Sequence, residues 1–250
     1  MHRLTLAMRL DLFLFEEGYA QSRTEAKGLI EGGFVFINGR AVYKPSFDVA
    51  PDTEYEIRVD RSERKYVSRG GLKLEGALLE FGVLPKGRVC LDVGASSGGF
   101  TDCLLQNGAA RVYAVDSGTG QLAESLRREK RVVAFENFNA RYMDGESFPE
   151  RPSLAVMDVS FISATYILPS LYTVLESGGE LICLIKPQFE VGRANVGKGG
   201  IVKDEAARRT ALDRVFSAAA QLGFVYVSHI TSPIKGGDGN IEFLAYFKKP

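Results

Sequence analysis

The 250-residue chain has little cysteine, no net charge and no long apolar run, and each shortage closes off a class of protein. Three cysteines, Cys90, Cys103 and Cys183, are too few and too scattered for a disulfide framework or a zinc site. Each sits in an apolar stretch, where cysteine serves as a small buried hydrophobe. A reducing cytosol is therefore the expected compartment, and no metal is expected. Met1 to Met8 hold no long apolar segment, and Arg9, Asp11, Glu16 and Glu17 interrupt the apolar residues after them, so neither a signal peptide nor a membrane span is expected. Lys and Arg together number 31, as do Asp and Glu, so composition alone announces no nucleic-acid partner. What the chain does have is 45% hydrophobic residues, enough to fill the core of one large domain with an appendage.

The charge is unevenly spread. Acids outnumber bases over residues 1–60, whereas Arg61, Arg64, Lys65, Arg69 and Lys73 face only Glu63 and Glu75 over the next stretch. An acidic module is thus followed by a basic stripe over 61–75, whose first part, 61–68, has little apolar periodicity and is expected to be a linker. Before it, Leu10, Leu12, Phe13 and Phe15 stop at Gly18, and Ser22 caps a second short helix that Gly32-Gly33 ends. Phe34 to Ile37 then meets Asn38-Gly39, the pair that favours a two-residue hairpin turn.

Beyond the stripe, a helix is expected from Arg69-Gly70-Gly71 to Gly82, and strands then alternate with helices. The strands are Arg88 to Val93, Arg111 to Asp116, Val132 to Glu136, Leu154 to Asp158, Glu180 to Lys186, Phe224 to Ile230 and Ile241 to Phe247. Alternation predicts an α/β fold with a mostly parallel sheet covered on both faces and a last strand that returns antiparallel. The expected division is 1–60, a linker at 61–68, and 69–250.

The densest signal is the turn Leu91-Asp92-Val93-Gly94-Ala95-Ser96-Ser97-Gly98-Gly99-Phe100, with Asp116 ending the next apolar run. A strand, a glycine-rich bend, a helix and a second strand ending in an acid form a nucleoside-binding βαβ unit, the acid accepting bonds from ribose hydroxyls. The turn lacks the G-x-G-x-x-G spacing that serves a pyrophosphate, and Asp92 would repel one. Asp92 suits the cationic end of S-adenosylmethionine, whose carboxylate can meet N–H groups around Gly94 and Ser96. Gly98, Gly99 and Phe100 complete the expected cofactor turn, although glycine serving backbone geometry alone is the other reading. Asn137 and Phe138 follow the third strand, where Phe138 either stacks on an adenine or belongs to the core.

Parallel sheets place ligands beyond the C-terminal ends of their strands, which selects Asp116, Asp158 and Lys186. An antiparallel last strand adds Glu242, and the helix before the first strand can lean Lys73 over the cofactor. Two lysines and two acids suit methyl transfer to a hydroxyl. Lys186 is expected as the base, with Lys73, Asp158 and Glu242 orienting and balancing charge, and a neighbouring ammonium plus burial lowering a lysine's affinity for its proton while the acids oppose that shift. Gln188 to Lys203 comes next as either a substrate lid or a connector.

Two resemblances gather these residues. Arg9-Leu10-Asp11, Ser22-Arg23, Ala26, Leu29-Ile30, Gly33, Val35 and Asn38-Gly39 resemble the S-four RNA-binding domain, which implies a basic rim at Arg9, Arg23, Lys27 and Arg40. Arg64, Lys65 and Arg69 in the stripe and Arg193 and Lys198 in the loop extend the expected RNA contacts. Ser68 to Leu74, Leu91 to Phe100, Met157 to Phe161, Ile185 to Glu190 and Asn240 to Phe243 resemble the TlyA family, an S-four domain joined to an FtsJ-like (RrmJ-like) methyltransferase. The resemblance puts that family's Lys-Asp-Lys-Glu tetrad on Lys73, Asp158, Lys186 and Glu242. It implies 2′-O-methylation of a cytidine in ribosomal RNA, free or in a subunit, using S-adenosylmethionine. A non-catalytic ribosome-assembly factor is the alternative, and the family's hemolysin label raises membrane lysis as a third reading.

Overall fold

The computed structural model describes residues 7–50, 53–60, 65–237 and 239–250. The chain opens with β1 (Met8–Arg9), α1 (Leu10–Glu16) and α2 (Arg23–Glu31), followed by β2 (Val35–Ile37), β3 (Arg40–Ala41), β4 (Asp48–Val49) and β5 (Ile57–Val59). Leu10 and Leu14 on α1, with Ala26, Leu29 and Ile30 on α2, recur at helical spacing, so each helix buries one side. These sides close on Val35, Ile37 and Val49 as a small core of their own. Ser22 caps α2 by accepting the Glu25 N–H at 3.1 Å. Asn38 and Gly39 both adopt positive φ, 49° and 75°, which gives the expected tight hairpin between β2 and β3.

The remainder comprises α3 (Gly70–Phe81), β6 (Val89–Val93), α4 (Gly99–Gln106), β7 (Arg111–Val115), α5 (Glu124–Arg127), β8 (Val132–Phe135), β9 (Leu154–Met157), α6 (Leu168–Val174), β10 (Glu180–Ile185), α7 (Pro187–Glu190), α8 (Glu205–Leu222), β11 (Val225–Thr231) and β12 (Phe243–Lys248). Seven strands form one sheet in the order β11-β12-β10-β9-β6-β7-β8. The pairs from β10 through to β8 are parallel. β12 is antiparallel to both β10 and β11, so it alone runs against the rest. One face is covered by α6 and α8 through Leu168, Leu171, Val215 and Ala219. The other is covered by α3 and α4 through Leu74, Leu78 and Leu104. With both faces covered, β9 is buried at every position.

Two features of this topology position the site. The chain progresses from β6 outward to β8 and then returns to β9 on the other side of β6, which opens a crevice between the carboxyl ends of β6 and β9. Val93 pairs with Met157 across that boundary, so Gly94 and Asp158 emerge side by side. At the neighbouring boundary Ile185 pairs with Phe243, and because β12 is antiparallel, Lys186 leaves one strand beside Glu242 entering the other. Asp116, Asp158, Lys186 and Glu242 therefore lie just outside the ladder rather than within the expected strands. At these positions the backbone turns out of the sheet.

Of the expected linker, Arg61 to Arg64 lie outside the described residues. Tyr66 is buried against α3 and α4, and the Val67 N–H donates to the Asp102 carboxylate at 2.8 Å. The loop from Gln188 to Lys203 holds α7 and two short 3-10 turns, Arg193–Asn195 and Lys198–Gly200. The buried Glu190 carboxylate pins this loop by accepting from the Ser163 hydroxyl at 2.5 Å and the Ala164 N–H at 2.7 Å.

Candidate active site

The β6–α4 turn approaches the end of β9 so closely that a Cβ on Gly94 would meet the Asp158 carbonyl oxygen at 2.3 Å, and Gly94 has φ of +84°. Both facts require glycine there. Gly98, at φ +96°, faces Leu126, which a Cβ would meet at 2.2 Å. Asp116 clasps the turn from β7, its two carboxylate oxygens accepting the Ser96 and Gly118 N–H groups, each at 2.7 Å. Each carboxylate oxygen has a second lone pair, and Asp116 lines a cavity of about 750 Å³ together with Gly94, Ser96, Gly99, Phe100 and Phe138.

All four residues of the expected tetrad line the same cavity. Lys186 meets Asp158 at 2.5 Å, with side chains 12% and 21% exposed, and Lys186 also donates to the Ser160 hydroxyl at 2.7 Å. Lys73 meets Glu242 at 2.6 Å, with side chains only 7% and 3% exposed. The pairs influence one another. Burial pushes the Asp158 carboxyl up, but Lys186, Lys73 and Arg69 outweigh it and hold the group below its ordinary range. Burial pulls the Lys186 ammonium down, but Asp158, Glu242 and Glu31 outweigh that, so Lys186 keeps its proton more firmly than a free lysine. This corrects the expected depression of a lysine by its neighbouring ammonium: the carboxylates are closer and win.

Three other expectations are changed by the structure. Asp92 does not line the cavity; it is 0% exposed and accepts from the Thr101 hydroxyl at 2.7 Å through one oxygen. Its other oxygen has no hydrogen-bond partner, and burial pushes the group up to about 7. Side chains alternate along a strand, and Asp92 falls on the same face as Cys90, toward α4. Gly98 and Asn137 are likewise absent from the cavity wall, whereas Asn139 is part of it. Lys27 is an interdomain contact rather than a free rim residue: its ammonium donates to the Gln121 amide oxygen at 2.9 Å and lies 3.4 Å from the Ser96 hydroxyl.

The remaining basic candidates are dispersed. Arg9 and Arg23, each about half exposed, both pair with the buried Asp11 carboxylate, at 2.9 and 3.0 Å. Arg40, Arg193 and Lys198 are exposed, Lys65 pairs with Glu75, and Arg64 lies outside the described residues. Arg69 lies over the Tyr43 ring at 4.5 Å, and both residues line the cavity, as does Glu31 of α2. Tyr43 and Glu31 carried no sequence signal, because they reach the site only through packing of the first sixty residues against the sheet, and Gln121, in the loop after β7, belongs to no recognisable motif.

Residues 66–249 match the model of the FtsJ-like methyltransferase family, and residues 8–54 match that of the S4 domain. The chain belongs to the FtsJ-like methyltransferase family. It is 46% identical over 241 residues to Hemolysin A of Brachyspira hyodysenteriae, covering 96% of this chain and 99% of that one. It is 44% identical over 240 residues to the 16S/23S rRNA (cytidine-2′-O)-methyltransferase TlyA of Mycobacterium tuberculosis, covering 96% and 89%. A Streptococcus thermophilus protein solved under a provisional hemolysin name superposes with a TM-score of 0.77 at 42% identity, covering 98% of this chain and 90% of that one.

Glu242→Ala leaves the Lys73 ammonium buried without its partner and is expected to cost about 3–5 kcal/mol, read as a lower unfolding midpoint. Lys73→Met combined with Glu242→Leu is expected to restore most of that stability without restoring methyl transfer. Asp92 gives a pH signature. Its folded value is about 7 against an ordinary 3.8, so between those values the folded protein holds a proton that the unfolded chain has released, and stability falls as pH rises. The contribution is at most about 1.4 kcal/mol per pH unit. Asp92→Asn is expected to flatten the unfolding midpoint against pH across that window; an unchanged slope would refute it.

Proposed function

We propose that this chain transfers a methyl group from S-adenosylmethionine to the 2′-hydroxyl of a cytidine in ribosomal RNA. The observation that carries the reading is the meeting of two lysine–carboxylate pairs, Lys186–Asp158 and Lys73–Glu242, beside a glycine turn clasped by Asp116. The donor set fits the cofactor: Asp116 offers acceptor lone pairs to ribose hydroxyls, the Gly94 turn permits close backbone approach, and carboxylates surround the place where positive charge would enter. S-adenosylmethionine supplies a methyl on a cationic sulfur, and no metal is part of the proposal.

Lys186 is the group proposed to act on the ribose hydroxyl, which barely ionises near neutral pH. With its proton held firmly, Lys186 donates a hydrogen bond to the oxygen as negative charge develops there. Added positive charge in the cleft opposes the pull of Asp158 and Glu242, and once Lys186 has released its own proton to solvent, its free amine is placed to accept the hydroxyl proton as the oxygen takes the methyl. Asp158 and Ser160 fix its direction, while Glu242 pairs with the buried Lys73. Holding oxygen and methyl in line supplies much of the acceleration.

The same reading divides the chain into an RNA-binding unit at 1–60, a connector at 61–68 and a methyltransferase unit at 69–250, acting in the cytoplasm. Arg9, Arg23 and Arg40 are proposed to meet RNA phosphates, where contacts position without reading sequence. Membrane lysis gains no support from helices: among the described residues none is long and apolar enough to cross a membrane. Incubating the protein with labelled S-adenosylmethionine and ribosomal subunits or free rRNA tests the proposal. Label should map to a cytidine ribose, and Lys186→Ala should reduce transfer by about 10²-fold or more when assayed well below its unfolding midpoint, which falls because Asp158 loses its nearest cation. Cofactor binding without transfer to any rRNA would favour the non-catalytic assembly factor instead.

A further inference from the structure

Beside the tetrad cavity lies a second, smaller pocket that the chemistry above does not use. The two share a wall at Phe161 and Ile162. Gln188, Phe189, Tyr166, Arg193 and Arg214 complete the second pocket, and Gln188 lies only two positions beyond Lys186 in the chain. We propose that this pocket binds the nucleotide adjacent to the methylated one, holding its base against Phe189 and reading its edge with Gln188.

Three observations support a nucleotide there. Unpaired RNA bases are recognised by stacking on aromatic rings, by amide contacts to their edges and by arginines on their phosphates, and the pocket contains all three. Phe161 and Phe189 have centroids 5.3 Å apart with planes tilted by 51°, so they do not stack face to face on each other. Phe161 is 92% exposed with φ of +65°, so the shared wall stands clear of the core.

The amide is the second observation. The Gln188 side-chain oxygen is buried with no hydrogen-bond partner, an arrangement that destabilises the pocket as it stands. Turning the carboxamide into the pocket relieves this when a base supplies an N–H. The third is charge. Arg214 gives one N–H to the Glu190 carbonyl at 2.8 Å, and a guanidinium carries five; Arg193 is exposed at the rim. The floor is stiff, because buried Glu190 ties α7 to Ser163 and Ala164. A strand whose target ribose faces Lys186 thus passes its neighbour over the Phe161 wall into a prepared recess.

This inference rests on the methyltransferase reading, and its test separates the two. An rRNA fragment that the wild type methylates is remade with an abasic residue on either side of the target, and KM and kcat are compared. Loss of one neighbouring base should raise the wild-type KM roughly tenfold, the scale of one base–aromatic contact. Gln188→Leu and Phe189→Leu should raise KM on intact RNA more than they lower kcat, and should show little further loss on that abasic RNA. Arg193→Ala, an exposed change that leaves folding intact, should reduce the log–log salt slope by about 0.7. Equal sensitivity of variants and wild type to the abasic residue, or wild-type indifference to both neighbours, would overturn the pocket while leaving methyl transfer standing. No transfer to intact rRNA by the wild type would overturn both.

Discussion

A charge taken out of water is costly unless an opposite charge meets it, and each lysine of the cleft meets a carboxylate. The pairs Lys186–Asp158 and Lys73–Glu242 are therefore a condition of the site's stability. They cross two junctions of the fold, the end of β9 to the end of β10 and α3 to the start of β12, and the β10–β12 register sets the two side by side. Each junction depends on register. Sliding β12 by one residue against β10 would turn Glu242 to the opposite face and leave Lys73 buried and alone. The reversed direction of that single strand is what brings an acid from near the C-terminus to a lysine on the first helix of the sheet domain.

The first sixty residues are part of the same electrostatic arrangement. Lys27 reaches Ser96 of the β6–α4 turn and Gln121 of the loop after β7, Thr24 donates to the Gly120 carbonyl at 2.7 Å, and Glu31 contributes to the field that holds the Lys186 proton. One side of α2 thus faces the cavity mouth, while Arg9 and Arg23 hold their half-exposed guanidiniums around Asp11. Because acids outnumber bases in these sixty residues, contact with a polyanion there rests on individual exposed cations together with those of the sheet domain.

Much of the fold and the four tetrad residues are legible in the sequence, for a definite reason. Strand-terminal acids and lysines, glycines that break strands and an antiparallel closing strand all come from local pattern and from the rule that ligands sit at carboxyl ends. Asp92 is visible in the sequence too but misleads: alternation along β6 places it with Cys90 toward α4, away from the cavity. The charge state of Lys186 is not legible, because its sign depends on distances to Asp158, Glu242 and Glu31 that only folding sets. The same holds for Lys27 and Tyr43, whose partners lie far along the chain.

The central claim is that the two ion pairs surround the place where the methyl is transferred. A crystal structure with S-adenosylhomocysteine bound, the cofactor after methyl loss, tests it most directly. The account predicts the ribose hydroxyls on Asp116, both ion pairs intact, and the sulfur directed so that a methyl on it would fall within about 3.5 Å of an oxygen hydrogen-bonded to Lys186. A sulfur directed away from Lys186 and Asp158, or a ribose that does not touch Asp116, would contradict it.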